Sequence, residues 1–194
     1  GGSKQLLSPR DTVASLANNT LVIPDAPVAA PGEIASFITP QSKFFRIDTV
    51  IGSTPQLKVA EWELRIHGLV NKEVTLKIAD IAALPQVEHV ITLGCVSNEI
   101  GGDLIGNARW GGVLLADVLK LAGVQKEATQ LASTSSDGWT CGTPVDAVLD
   151  GRPAMLATSM NGEALTAEHG FPIRMIVPGL FGYVSATKWL TDLE

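Results

Sequence analysis

TLGCVSNEIGG, at positions 92–102, is the stretch of sequence that decides the fold. It overlaps an apolar run, Val87 to Leu93, which predicts a buried strand ending at a turn rich in Gly and Asn. That strand would deliver Cys95 to a rigid position, where a thiol can act as a nucleophile or as a ligand for a soft metal. The tetrapeptide NARW follows at positions 107–110.

The remainder of the chain divides into an extended beginning and one domain. Residues 1–40 carry Pro24, Pro27, Pro31 and Pro40 without a sustained period, so we predict an arm or linker there and a domain over residues 41–194. Strands and helices alternate irregularly, which favours an α+β fold with a mixed sheet. Strands are predicted over 62–67, 87–93, 154–158, 171–177 and 188–193, and helices over 76–84, 114–122 and 144–149.

Composition excludes some functions. The chain has 194 residues, 45% of them hydrophobic, and a net charge of −6, which argues against a nucleic-acid surface. No apolar run approaches the length of a membrane span. Two cysteines, Cys95 and Cys141, are too few to define a redox compartment.

Several short motifs in the second half point to an anion site. MNGEAL spans 160–165, EHGFPIR spans 168–174, VPG spans 177–179 and ATKWL spans 186–190. Asn161-Gly162 is typical of a two-residue hairpin turn. The glycines would leave backbone N–H groups near His169, Arg174 and Lys188, and such a set of donors is what a bound phosphate or polyanion requires.

Together with segment 92–102, these motifs resemble the molybdopterin-binding core of the sulfite oxidase family, with its MNG…HGxPxR…PG…KW pattern. The resemblance covers roughly residues 44–194. It implies the mixed-sheet sulfite-oxidase-type α+β fold, and molybdenum and molybdopterin as cofactors. In that family the matching cysteine is the one protein ligand of the metal, so the resemblance implies that Cys95 binds molybdenum.

The resemblance also implies which other residues contact the cofactor. Arg174 and Lys188 would neutralise the pterin phosphate, and Asp137 would accept hydrogen bonds from the pterin ring. Arg46 would join Cys95 in catalysis, Asn98 and Arg109 would support the cysteine loop, and Trp110 would pack in the core. The implied cofactor-binding positions are Phe44, Phe45, Arg46, Ile47, Asp48, Cys95, Asp137, His169, Arg174, Ala186, Thr187 and Lys188.

The resemblance further implies an oxidoreductase that catalyses two-electron oxygen-atom transfer to or from a small, sulfur-containing substrate. An external haem or quinone protein would carry the electrons. Ile100 stands where animal and plant sulfite oxidases have an arginine that grips sulfite, so we expect a less anionic substrate such as a sulfoxide. The family's continuation, with an active-site tyrosine and a dimerisation domain, is expected to be missing here. Relatives with these motifs are often bacterial and membrane-tethered, which implies an extracytoplasmic location, periplasmic or at the cell surface, with any tether outside this chain.

Three alternatives remain open. Cys95, His169 and Asn161 could form a cysteine hydrolase site, but this leaves the Arg174 and Lys188 motifs unexplained. A zinc site from Cys95, Cys141 and a histidine lacks a close ligand pair. A non-catalytic module could retain the fold and have lost turnover or metal. Bound, redox-active molybdenum would distinguish the enzyme from that module.

Overall fold

The computed structural model describes residues 37–48 and 53–194. In these residues ten strands form two sheets, and three α-helices lie between strands along the chain. Short 3-10 helices cover Gln41–Lys43, Val59–Glu61, Ala167–His169 and Gly182–Val184. The strands are β1 Leu64–Ile66, β2 Val74–Leu76, β3 Gln86–Gly94, β4 Ile105–Leu114, β5 Gln130–Ser135, β6 Thr140–Pro144, β7 Met155–Met160, β8 Glu163–Ala164, β9 Arg174–Ile176 and β10 Leu190–Leu193; the helices are α1 Ile78–Ala83, α2 Leu115–Ala122 and α3 Val145–Leu149.

The first sheet is mixed and the second is antiparallel. The first has the order β2-β1-β10-β5-β6, with β1 and β10 parallel and the other neighbours antiparallel. In the second, of order β3-β4-β7-β8, strand β9 also pairs with β7, beside β8. The predicted α+β class with a mixed sheet is therefore confirmed.

Helix α2 shows how the sequence pattern produces a local element. Leu115, Val118, Leu119 and Ala122 recur at helical spacing and are all buried, so one face packs on the core. Gly123 ends the helix with φ of +70°, a left-handed conformation that glycine adopts without steric cost. The predicted helix over 114–122 thus differs from the observed one by a single residue.

Strand β3 corrects the prediction of a buried strand. It lies at the edge of its sheet, and only alternate residues in its second half, Ile91 and Leu93, are buried. Val90 is 52% exposed. Side chains of a strand point alternately to the two faces, and here one face packs on the core while the other meets solvent. The strand nevertheless ends next to Cys95, as predicted.

The predicted hairpin turn is confirmed. Asn161 and Gly162 join β7 to β8 and have φ of +58° and +80°, the backbone of a type I′ turn. The Asn161 side chain also accepts a hydrogen bond from Arg109 N and donates one to Thr39 O, both at 2.9 Å.

Residues 1–36 of the predicted arm over 1–40 lie outside the described residues. The boundary of the arm therefore stays a prediction. Where the description begins, Thr39 N donates to Asn107 O at 2.7 Å, which ties this segment to β4. Across 37–48 and 53–194, no helix combines the length and apolar character needed to cross a membrane.

Two hydrophobic clusters fill the interior. The larger joins the first sheet to α1, α2, α3 and one face of the second sheet. The smaller lies on the other face of the second sheet and includes Phe44, Leu93, Trp110, Met160 and Ile176. Phe44 and Leu93 also line a cavity whose wall comes from both sheets, so the smaller cluster forms the apolar floor of that cavity.

Candidate functional site

Cys95 lines the cavity and is held by a hydrogen-bonded loop. Its backbone N donates to Leu104 O at 2.9 Å, and Ser97 N donates to its sulfur at 3.5 Å. Asn98 Oδ1 accepts a hydrogen bond from Leu104 N at 2.8 Å, which closes the loop from the inside. A Cβ atom at Gly102 would lie 2.8 Å from that same oxygen, so the loop needs glycine there. Asn98 therefore supports the cysteine loop as the sequence predicts.

Aromatic residues shape the floor beside Cys95. Phe44 stacks on Phe45 with ring centroids 5.1 Å apart and meets Trp110 edge-on at 5.5 Å. A Cβ atom at Gly106 would lie 2.6 Å from the Phe44 ring, so this close approach of ring to strand depends on glycine. Trp110 is fully buried, as predicted for core packing, and it also supports a cation in the cavity wall.

That cation is Arg174, which is 5% exposed and lies with its guanidinium 5.2 Å from the centre of the Trp110 ring. Its terminal nitrogens donate to the backbone carbonyls of His169 at 3.1 Å and Ala186 at 3.2 Å. Its Nε is buried and has no hydrogen-bond partner within the described chain. Burial lowers the pKa of Arg174 to about 9, which leaves it charged at neutral pH but costly to hold without an anion.

Lys188 lies beside Arg174 because of a glycine that sequence reasoning did not single out. Gly170 has φ of +104°, and a Cβ atom there would lie 3.0 Å from Lys188 Cβ and 3.1 Å from Arg174 Cβ. Lys188 Nζ donates to Glu168 O at 3.0 Å and lies 4.3 Å from the centre of the Trp189 ring. Trp189 itself has φ of +50°, a strained conformation for a bulky residue.

His169 is buried in the same wall. Its Nε2 donates to Gln41 O at 2.9 Å, which defines the tautomer with hydrogen on that nitrogen. Burial, and to a smaller extent the nearby charge of Arg174, lowers the pKa of His169 to about 4. The imidazole is therefore neutral at pH 7 and acts as a hydrogen-bonding spacer between the segment at Gln41 and the cations.

Asp48 contacts the cations and is absent from the cavity lining. Its carboxylate accepts hydrogen bonds from Arg46 and from Lys188. Burial opposes ionisation of Asp48, but the hydrogen bonds from these two cations outweigh it and lower the pKa of Asp48. Asp48 therefore lies in the predicted region but behaves as a counterion for two predicted site residues.

The structure brings together nearly all the predicted site residues. Asp137 lies in the turn between β5 and β6, where its Oδ1 accepts a hydrogen bond from Trp139 N at 3.0 Å. Arg109 was predicted to support the cysteine loop, and this prediction is wrong. Its side chain points instead from β4 toward Glu88. The predicted residues that line the cavity are Phe44, Phe45, Arg46, Ile47, Cys95, Asp137, His169, Arg174, Ala186, Thr187 and Lys188.

Sequence reasoning missed part of the lining. Tyr183 is the only tyrosine of the chain, is 61% exposed, and meets Trp139 edge-on at 5.5 Å. Its position in the GLFGYVSATKWL stretch, next to the ATKWL motif, was the available signal. The other missed residues of the lining are Leu93, Ser135, Trp139, Gly182 and Trp189.

The alternative sites receive no geometric support. Asn161 lies outside the cavity lining and holds the β7–β8 hairpin, so Cys95 and His169 lack the proposed third member of a hydrolase triad. Cys141 contacts the hydroxyls of Ser133 and Thr187, each at 3.2 Å. Within 37–48 and 53–194, no group of three or more His, Cys, Asp or Glu residues is arranged to hold a metal ion.

The wall chemistry fits an anionic cofactor with a soft metal. Arg174 presents a buried guanidinium whose Nε has no partner in the described chain, and Lys188 adds an ammonium next to it. Such donors match phosphate oxygens. Cys95 adds a sulfur ligand to the same lining, which also includes the flat apolar rings of Phe44 and Phe45.

Comparison with known proteins agrees with this chemistry. A family model described as "Oxidoreductase molybdopterin binding domain" matches residues 51–194. The uncharacterized oxidoreductase YuiH of Bacillus subtilis (strain 168) is 36% identical over 136 residues, which cover 70% of this chain and 66% of YuiH. Sulfite oxidase of Arabidopsis thaliana is 31% identical over 192 residues, covering 83% of this chain and 48% of that enzyme.

A solved structure shares the fold. The sulfane dehydrogenase SoxCD from Paracoccus pantotrophus matches with a TM-score of 0.74 and 30% identity, covering 82% of this chain and 44% of the SoxCD chain. This chain thus spans 66% of YuiH, 48% of the Arabidopsis sulfite oxidase and 44% of the SoxCD chain. These matches confirm the predicted sulfite-oxidase-like oxidoreductase family, its fold, and molybdenum with molybdopterin as the cofactor.

Proposed function

We propose, because this chain belongs to the oxidoreductase molybdopterin-binding domain family, that it carries a molybdenum–pterin centre and catalyses two-electron oxygen-atom transfer on a small, sulfur-containing substrate. Cys95 is the protein ligand of the metal in this proposal. The observation that supports it best is the convergence of the Cys95 thiol with the buried guanidinium of Arg174 and the partly buried ammonium of Lys188 on one cavity.

Each part of the wall has a defined task in this proposal. Arg174 and Lys188 hold the cofactor phosphate, and the Nε of Arg174 supplies a donor that has no other partner in the described chain. Asp137 accepts hydrogen bonds from the pterin ring. Phe44 and Phe45 exclude water on the floor of the cavity. The bound cofactor supplies the oxygen-atom transfer and the two electrons, and the protein orients it.

The substrate proposed is less anionic than sulfite. Ile100 is fully exposed in the loop that follows Cys95, and an isoleucine side chain offers no contact to an oxyanion. Arg46, the other predicted anion-facing residue, is already paired with Asp48. A neutral sulfoxide needs no cation, so its binding is not weakened by this arrangement. A dianion finds no unpaired positive charge at either Ile100 or Arg46, so its binding is weakened.

Metal and pterin analysis of the purified chain, followed by steady-state assays with an artificial electron carrier, tests the proposal. We expect about one molybdenum per chain and turnover of a sulfoxide above that of sulfite. Sulfite turnover well above that of every sulfoxide would refute the substrate assignment. A full cofactor complement without turnover of any sulfur or nitrogen oxo substrate would favour the non-catalytic module.

We also propose an external haem or quinone protein as the electron carrier and an extracytoplasmic location, in a cell-envelope setting. The resemblance supports both proposals, and Tyr183 and Ile47, which are exposed at the cavity, offer accessible contact points for a carrier. Reduction of a purified cytochrome by the substrate-reduced protein, together with fractionation of source cells, tests both. Exclusively cytoplasmic recovery would refute the location.

A further inference from the structure

Two of the three basic residues in the cavity lining already have a carboxylate partner. Asp48 bridges Arg46 and Lys188, whose side chains are 42% and 11% exposed, and is itself 22% exposed. Arg174, in contrast, directs its hydrogen bonds within the described chain to backbone carbonyls. Positive charge is therefore compensated where Arg46 lies and uncompensated where Arg174 lies.

Contacts other than Asp48 hold the two paired cations in place. Arg46 Nη2 donates to Thr54 Oγ1 at 2.7 Å. Lys188 Nζ donates to Glu168 O at 3.0 Å and lies over the Trp189 ring. Because these contacts do not involve Asp48, removal of its charge should leave both cations near their present positions but without a counterion.

We propose that Asp48 is a specificity-determining residue, which keeps Arg46 occupied at the cavity and so disfavours anionic substrates there. The inference deepens and rests on the proposed function, since it concerns substrate choice at the same cavity. A carboxylate already seated on a guanidinium competes directly with any incoming oxyanion for the same N–H donors. Neutral substrates do not enter this competition.

Sulfate binding measures the proposal without turnover. Isothermal titration of wild-type protein and Asp48→Asn with sodium sulfate, at low ionic strength, should show about tenfold tighter binding by the variant, with the difference shrinking as salt is added. Asp150→Asn is the matched control, because Asp150 also pairs with an arginine, Arg152, but Arg152, unlike Arg46, does not line the cavity. It changes net charge by the same amount and should leave sulfate affinity unchanged.

Arg46→Gln provides a second, independent arm. If Asp48 occupies Arg46, this substitution changes sulfate affinity less than twofold in the wild-type background, and removes most of the gain when combined with Asp48→Asn. Sulfate affinities within twofold for wild type and Asp48→Asn would overturn the proposal, as would an equal gain in Asp150→Asn. A tenfold loss in Arg46→Gln alone would do the same, and this arm stands even if Asp48→Asn fails to fold.

Molybdenum content, measured on the same samples, separates this inference from the proposed function. Absent molybdenum in wild-type protein would refute the cofactor proposal whatever the titrations show. Normal molybdenum with equal sulfate affinities would refute only the role of Asp48.

Discussion

Arg174→Met should separate cofactor binding from folding. Methionine replaces the buried guanidinium with a neutral side chain of comparable length. The lowering of the Arg174 pKa from 12.5 to about 9 by burial corresponds to about 5 kcal/mol against the charged form. Removing that charge therefore relieves a cost that the cofactor-free protein bears.

Two losses offset this gain. Arg174 donates hydrogen bonds to His169 O and Ala186 O, and bonds from a charged donor contribute roughly 1.5–3 kcal/mol each. The gain and the losses nearly cancel, so we expect the stability of the cofactor-free protein to change by less than about 2 kcal/mol, or a Tm shift below roughly 8 °C. Cofactor retention should fall by roughly 10- to 100-fold, because one charge-assisted contact to phosphate is lost.

Molybdenum and pterin content after timed dilution, with thermal unfolding of cofactor-free samples, provides the two readouts. Arg152→Met is the control, since it removes one positive charge that is paired with Asp150 away from the cavity. A variant that keeps its full pterin complement through dilution would refute the assignment of Arg174 to the phosphate. A loss of more than about 5 kcal/mol in stability would show that the arginine is chiefly structural.

Three further outcomes follow from the site. Cys95→Ser should purify folded but without molybdenum, because a hydroxyl is a poor substitute for a soft thiolate, and equal redox-active metal in both proteins would contradict this. Cofactor-free protein should lose about 2–3 kcal/mol of stability as pH falls from 7 to 4.5. The reason is that His169 has a pKa of about 4 in the folded protein, below its value in the unfolded chain. In this pH range the folded protein therefore keeps His169 neutral, while the unfolded chain takes up a proton there. Urea unfolding of His169→Gln should lack this component, and an unchanged pH dependence would count against it. Gly170→Ala should destabilise the fold and reduce cofactor retention more than Gly151→Ala. Both glycines have positive φ, but only Gly170 has Lys188 and Arg174 within contact distance. Equal effects of the two substitutions on thermal unfolding and pterin content would assign the cost to backbone strain alone.

Helices and the best-patterned strands were predictable because their periodicity is local. The predicted helix over 76–84 corresponds to α1 at Ile78–Ala83, and the strand over 87–93 to β3 at Gln86–Gly94. Strands β5 and β6 were not predicted, since QLASTS and TCGTP carry too few apolar residues to stand out from loops. Their pairing and burial come from neighbours in the first sheet, which no local window contains.

The sequence by itself determined the family, the cofactor and most members of the cavity wall, because its motifs around Cys95, His169, Arg174 and Lys188 resemble those of the sulfite oxidase family. Tertiary structure alone decided how these groups are paired. Asp48 and Lys188 are 140 positions apart, yet their side chains form an ion pair, so neither spacing nor composition could reveal that one neutralises the other. The same holds for the edge position of β3 and for Gly170 beneath two cations. Which charge stays uncompensated depends on distances in space, and these are set by sheet pairing between residues far apart in the chain.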